Sequence, residues 1–176
     1  IVLTGLPVSG TLVNGPFPVD VEIHDKDTGL PVAPDAPLQV TLDLASGGGM
    51  LAGTLSQPVA TSAASFPGLS YDTPDSAQIR ATSSQSAPAV SAPIAFEVDI
   101  QASPTSLGSI LPGAAIGPVT FTLYDGLGAP YPVAGMLSWT LIDQNTLATY
   151  RSGSEDFAGT AMATVSLLPI NDEAPY

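Results

Sequence analysis

The sequence predicts an all-β protein of two tandem domains, and three observations predict it. Gly and Pro punctuate the chain, with 17 and 18 residues among 176, so turns are frequent and closely spaced. Between the turns run short stretches rich in Val, Thr, Ile, Ser and Ala, the composition of strands rather than helices. One of these stretches recurs about a hundred residues later, which makes two units of similar opening design.

Composition sets further limits. Apolar residues make up 44% of the chain, enough to bury a core and too many for a disordered segment. Gly plus Pro amount to about a fifth, below the roughly 25–30% of unstructured low-complexity sequence. Three Lys and Arg stand against sixteen Asp and Glu, for a net charge of −13. Such a chain repels phosphate backbones, which argues against nucleic acid as a partner, and attracts hard cations such as calcium. Without cysteine it has no disulfide framework, thiol nucleophile or thiolate metal site. No apolar run of about 18 residues offers a membrane span. The opening IVLTGLPVSG lacks the charged region of a signal peptide, so the expectation is a mature piece or a fragment of a larger protein.

The repeated stretch is VDVEIHDKDTGLPVAPDAPLQVTL from Val19 and VTFTLYDGLGAPYPVAGMLSWTL from Val119. Its first strand alternates, with Val19, Val21 and Ile23 toward a core and Asp20, Glu22 and His24 toward water. A Gly-containing turn follows at Asp25–Gly29 and again at Asp125–Gly128. Next come Pro31-Val32, aligned with Pro132-Val133, and a second strand, Val40–Leu42 aligned with Trp139–Leu141. The run LASGGGMLAGTL lacks the Lys-Ser/Thr of a phosphate loop and reads as a flexible crossover between sheets. A strand PIAFEVDI ends at Ile100, which places the domains at 1–101 and 102–176, the second shorter and either trimmed, divergent or cut short.

The stretch ASFPGLSYDTPDSAQIRATSS, with the PIAFEV after it, resembles the closing strands of bacterial immunoglobulin-like repeats. Phe66, Gly68, Leu69, Tyr71, Ile79, Ala81, Phe96 and Val98 carry the likeness: a strand into a Gly-Leu turn, a strand back across the sandwich, and a last strand ending Phe-x-Val. Pro74-Asp75-Ser76-Ala77 stands where Ala-Gly-x-Tyr is usual. SEDFAGTAMATVSLLPINDEAPY resembles the end of cadherin-like tandem repeats of large bacterial surface proteins, through Gly159, Thr160, Ala161, Val165, Pro169, Ile170, Asn171, Asp172 and Pro175. The resemblance implies two tandem immunoglobulin-like antiparallel β-sandwiches of Greek-key type, about seven strands each.

It also implies a candidate metal site. Cadherins hold calcium between successive domains on an Asn-Asp linker, and the matching residues are Asn171, Asp172 and Glu173, joined by Glu155 or Asp156. Calcium takes about six to eight oxygens, more than one linker supplies. The competing reading is a polar linker whose Asn and Asp turn the chain before Pro175.

Other motifs read as structure. Asp25-Lys26-Asp27-Thr28-Gly29 has its Gly one position early for a calcium-binding EF-hand loop, and Ala36 where that loop needs Glu. His24, the only histidine, faces outward, and no Gly-x-Ser-x-Gly elbow accompanies it. Asp20 with Glu22, or Glu155 with Asp156, could pair for glycoside hydrolysis, but acids on a solvated strand are ordinary. Lys26 lies in an acidic turn, away from the buried strand positions used by isopeptide-forming lysines. Trp139 aligns with Val40, which favours core packing; with Tyr131 and Tyr150 it could instead stack on sugars.

The expected function is a non-catalytic spacer or adhesion module of a larger bacterial protein, extracellular or at the cell surface. No catalytic residue is expected, and calcium is the one cofactor considered. Neighbouring repeats of the same chain and a cell-surface protein or glycan are the expected partners. The alternative is a carbohydrate-binding accessory module of a secreted hydrolase.

Overall fold

The computed structural model describes residues 1–7, 10–108, 116–142 and 147–167, and every regular element among them is a β-strand. The chain divides into two units: Ile1–Val98 together with Asp125–Leu127, and Asp99–Tyr124 together with Gly128–Tyr176.

The first unit runs β1 (Val2–Thr4), β2 (Thr11–Leu12), β3 (Phe17–Glu22), β4 (Leu38–Ser46) and β5 (Leu51–Ala52). It continues with β6 (Ser56–Val59), β7 (Ala63–Tyr71), β8 (Ser76–Ser83), β9 (Ala89–Val90) and β10 (Ile94–Glu97). One sheet has the order β1-β3-β7-β5; the other has β2-β10-β8-β4-β6, with β9 also on β8. These ten short strands replace the seven expected. All pairs are antiparallel except β2 with β10, which is parallel.

Alternation builds the core as the sequence predicts. Phe17, Val19 and Val21 of β3, Leu38, Val40 and Leu42 of β4, and Ala77, Ile79 and Ala81 of β8 are buried, while their in-between neighbours are partly or fully exposed. Each large apolar side chain so removed from water contributes about 1.5–3 kcal/mol. Phe96 sits at the centre of an aromatic group, with ring centroids 4.6 Å from Tyr71 and 5.4 Å from Phe17.

The Gly-Leu step expected as a turn is instead a bulge inside β7. Val19 pairs with Phe66 and Phe17 with Leu69, so two residues, Pro67 and Gly68, oppose Pro18 alone. Neither proline has an N–H to give the ladder, and Gly68 takes φ +67°, so the irregularity falls where hydrogen bonding already fails. The bulge keeps both Phe66 and Leu69 buried despite their odd spacing.

The glycine run crosses from β4 in one sheet to β5 in the other, as expected, but it is tethered rather than loose. Gly48 N donates to Asp75 Oδ2, Gly49 N to Tyr71 Oη and Met50 N to Asp72 Oδ1, at 2.7–2.8 Å.

The strand expected over Pro93–Ile100 is two strands. β10 ends at Glu97, and after Val98 the chain enters β11 (Asp99–Ser103), which pairs with β12 (Val119–Tyr124). With β15 (Met162–Val165) these form the sheet β11-β12-β15 of the second unit, and β13 (Met136–Ile142) and β14 (Thr149–Asp156) form a separate two-stranded ribbon. Among the described residues the buried apolar set here is Ile116, Val119, Leu123, Phe157, Ala163 and Val165, a smaller core than the first unit's.

The repeat holds in structure with a shifted partner. The first hairpin closes with His24 bridging Pro31 and Val32 N donating to Ile23 O; the second closes with Tyr124 bridging Pro130 and Tyr131 N donating to Leu123 O. Pro31-Val32 therefore corresponds to Pro130-Tyr131, not Pro132-Val133. The loop Asp125–Ala129 is one residue shorter than Asp25–Leu30, so pairing resumes sooner, and Val133 bridges Thr160 instead.

Candidate functional site

Asp20, Glu22 and His24 follow one another on the outward face of β3 and its extension, as alternation requires. Thr4 of β1 lies opposite Asp20 on one side, and Ser65 of β7 on the other. Together with Glu22, Ala63 and Ala64 they line a shallow depression of about 310 Å³. His24 Nε2 lies 2.8 Å from Glu22 Oε2, so the lone histidine is engaged by the neighbouring carboxylate. The depression is acidic and hydroxyl-lined, with short side chains for walls.

The turn after it accounts for Asp25. Its Oδ1 accepts from Thr28 N at 2.8 Å, Thr28 Oγ1 at 2.8 Å and Asp27 N at 3.1 Å. The Thr28 amide first, and then its hydroxyl, hold the Asp25 carboxyl below the usual carboxylate range. Gly29 N returns to Asp25 O, closing the turn. The residues resembling a calcium loop thus serve the backbone of a hairpin, as the sequence reading holds.

Of the five residues named for calcium, Asn171, Asp172 and Glu173 lie outside the described residues. Glu155 and Asp156 close β14, where they pair with Leu137 and Met136. Successive positions of a strand leave on opposite faces, and Glu155 is half-buried while Asp156 is exposed. Asp156 Oδ1 accepts from Ala158 N at 2.8 Å, capping the turn into β15. Among the described residues no three His, Cys, Asp or Glu side chains group as metal ligands.

Trp139 is half-buried rather than part of a core. It pairs across the ribbon with Gly153, and its indole occupies the space above that glycine. A Cβ at position 153 would lie 2.6 Å from Trp139 Cζ2 and 2.9 Å from Cε2. The Nε1–H is covered and has no hydrogen-bond partner among the described residues. Tyr131 is half-buried, and the Tyr150 side chain lies outside what is described. Gly153→Val is expected to lift the indole off the ribbon. Because Trp139 is the only tryptophan, its fluorescence should then move to the red; an unchanged spectrum would show that the ring has room to accommodate the methyl groups.

The basic charge on β8 is engaged. Arg80 of β8 donates from Nε and Nη2 to the two oxygens of Asp43 on β4, at 2.8 and 2.7 Å. Asp43 raises the Arg80 pKa through these hydrogen bonds and its charge. Around it, Gln39 Nε2 donates to Ser56 Oγ at 2.7 Å and Thr41 Oγ1 shares a hydrogen bond with Ser56 Oγ at 2.9 Å, so this face is a polar sheet closed on itself.

No protein-family model matches the chain, and no curated protein matches it. Among solved structures it is similar to the D0-D1 domain of Intimin, with 16% identity and a TM-score of 0.42, covering 95% of this chain and 83% of that one. At that level the likeness carries no weight, and the fold assignment rests on the strand pairing above.

Proposed function

We propose that the chain is a non-catalytic spacer or adhesion module of a larger bacterial protein, extracellular or at the cell surface, whose partners are neighbouring repeats and a surface protein or glycan. One observation carries this reading: on the first unit's sheets Arg80–Asp43, Glu22–His24 and Gln39–Ser56–Thr41 satisfy one another. Polar groups arranged in this way keep a module soluble and stiff; a catalytic site instead needs them convergent on a cleft. The resemblance of both units to surface-protein repeats supports the same reading. In the parent array calcium would bind Asn171, Asp172 and Glu173 with Glu155 or Asp156, rigidifying the joint to the next repeat.

Thermal unfolding in EDTA, in calcium and in magnesium tests the calcium part. A ligand at a hundredfold excess over its Kd adds about 2.7 kcal/mol, which moves the midpoint by several degrees. A calcium-specific rise is the expected result, and its loss in Asp172→Asn would place the ion at the linker. Identical midpoints in all three conditions would remove calcium and leave a plain spacer. Quenching of Trp139 by soluble glycans would overturn the spacer reading in favour of an accessory sugar-binding module.

A further inference from the structure

We infer that Asn14-Gly15 is a deamidation site held in check by Asp125, and that its conversion releases the segment Asp125–Leu127 from the first unit. The inference is independent of the proposed function.

Asn14 is the only asparagine in the chain followed by glycine. Glycine has no Cβ, so its amide nitrogen reaches the preceding Asn carboxamide with the least hindrance. The reaction begins when Gly15 N loses its proton to solvent base and attacks Asn14 Cγ. A C–N bond forms, the Cγ–Nδ2 bond breaks, ammonia leaves, and a cyclic imide remains. Water then opens the imide at either carbonyl, giving aspartate or isoaspartate at position 14. No oxidant or reductant is involved.

In the folded protein both reacting groups are occupied. Asn14 Nδ2 donates to Asp125 Oδ2 at 3.1 Å, and Gly15 N donates to Leu12 O at 3.0 Å across a turn in which Asn14 takes φ +58°. Asn14 N donates to Tyr71 O at 2.8 Å, which ties the turn to β7. The segment Asp125–Leu127, part of the first unit, lies against this turn. Gly126 N donates to Val13 O at 2.8 Å, and Gly15 and Gly126 sit backbone to backbone, with no space for a Cβ on Gly126. Attack on Asn14 Cγ therefore requires both the Gly15–Leu12 and the Asn14–Asp125 hydrogen bonds to open, and Asp125 holds the leaving amide.

Conversion cannot be reversed by closing again. The donor that met Asp125 becomes a carboxylate, or an isoaspartyl residue with an extra carbon in the backbone. Asp125 is only 7% exposed, so two like charges would face each other with little water between them. The contact becomes repulsive, and the adjacent hydrogen bond from Gly126 N to Val13 O loses the Asn14–Asp125 bond beside it.

The full chain is incubated at mildly alkaline pH, and each asparagine is followed by peptide mass spectrometry. Asn14 is expected to convert about tenfold faster in Asp125→Ala than in the wild type, the least that losing a hydrogen bond to a charged acceptor yields. Asn145 and Asn171, followed by Thr and Asp, serve as internal references. Equal Asn14 rates in the two proteins would overturn the inference. Should Asp125→Ala fail to fold, Asn14→Asp provides the second measurement: exchange of the Gly126 amide is expected to accelerate by a similar factor. Unchanged protection there would overturn the release.

Discussion

Phe66→Ala is expected to destabilise the first unit by about 3–5 kcal/mol, the usual cost of emptying a fully buried phenylalanine site. Phe66 is 0% exposed and pairs with Val19, itself 0% exposed, immediately beside the β7 bulge. The proline-bearing bulge limits how far the backbone can move into the vacated space, so the cost should lie in the upper part of that range. Against a total stability of about 5–15 kcal/mol the loss is large. Urea unfolding followed by far-ultraviolet circular dichroism measures it, with Trp139 fluorescence reporting separately on the ribbon of the second unit. A midpoint shift worth less than about 1 kcal/mol would mean that the site collapses around the alanine, contrary to the packing described.

Tyr71→Phe is expected to cost about 1–3 kcal/mol, because it keeps the ring and orphans two partners. Tyr71 Oη donates to Asp75 Oδ1 and accepts from Gly49 N, both at 2.8 Å, while the ring is 0% exposed. The hydroxyl thus anchors the crossover at Gly47–Gly49 to the loop before β8. Gly47 approaches too closely for substitution, since a Cβ there would lie 2.7 Å from the hydroxyl and 2.9 Å from Ala77 Cβ, at φ +126°. Burial first, and then the hydrogen bond to Asp75, raise the Tyr71 pKa above its ordinary 10.0. A raised folded value means that the unfolded chain releases this proton at lower pH than the folded one. The contribution is therefore complete below about pH 10 and is lost as pH climbs through the folded value. Urea midpoints measured on either side of pH 10 should fall in the wild type and fall less in Tyr71→Phe. Parallel curves for the two proteins would assign the alkaline loss to other groups.

The all-β class and most of the first core were legible without coordinates, because alternation is a local property. Val19, Val21 and Ile23 are buried where the period of two places them. Six of the eight residues carrying the family resemblance, from Phe66 to Phe96, are buried as well. The hairpin turn at Asp25 was legible for the same reason, since its hydrogen bonds reach only two or three residues along the chain. The bulge at Pro67-Gly68 was not, although its signal was present: prolines at 18 and 67 break the ladder on both strands, but their being opposite depends on the register of β3 with β7.

The candidate sites were less legible. Glu155 and Asp156 are adjacent in sequence and leave β14 on opposite faces, which only the assignment of a strand there makes clear. Trp139 aligned with a core valine, yet β13 has β14 as its ladder partner where β4 has two neighbours, so the indole is half-buried over Gly153. The contact between Asn14 and Asp125 joins residues 111 positions apart and has no local signal at all.

The sequence by itself determined the strand class, the alternation of the first core, the hairpin chemistry and the net acidity, because composition and short-range periodicity act within a few residues. Tertiary structure alone decided which strands are neighbours, that the glycine crossover is tied to Tyr71 and Asp75, and where Asp125–Leu127 rests. Those outcomes depend on long-range register and on hydrogen-bond partners far apart in the chain, and a local pattern does not encode which distant group will satisfy a buried donor.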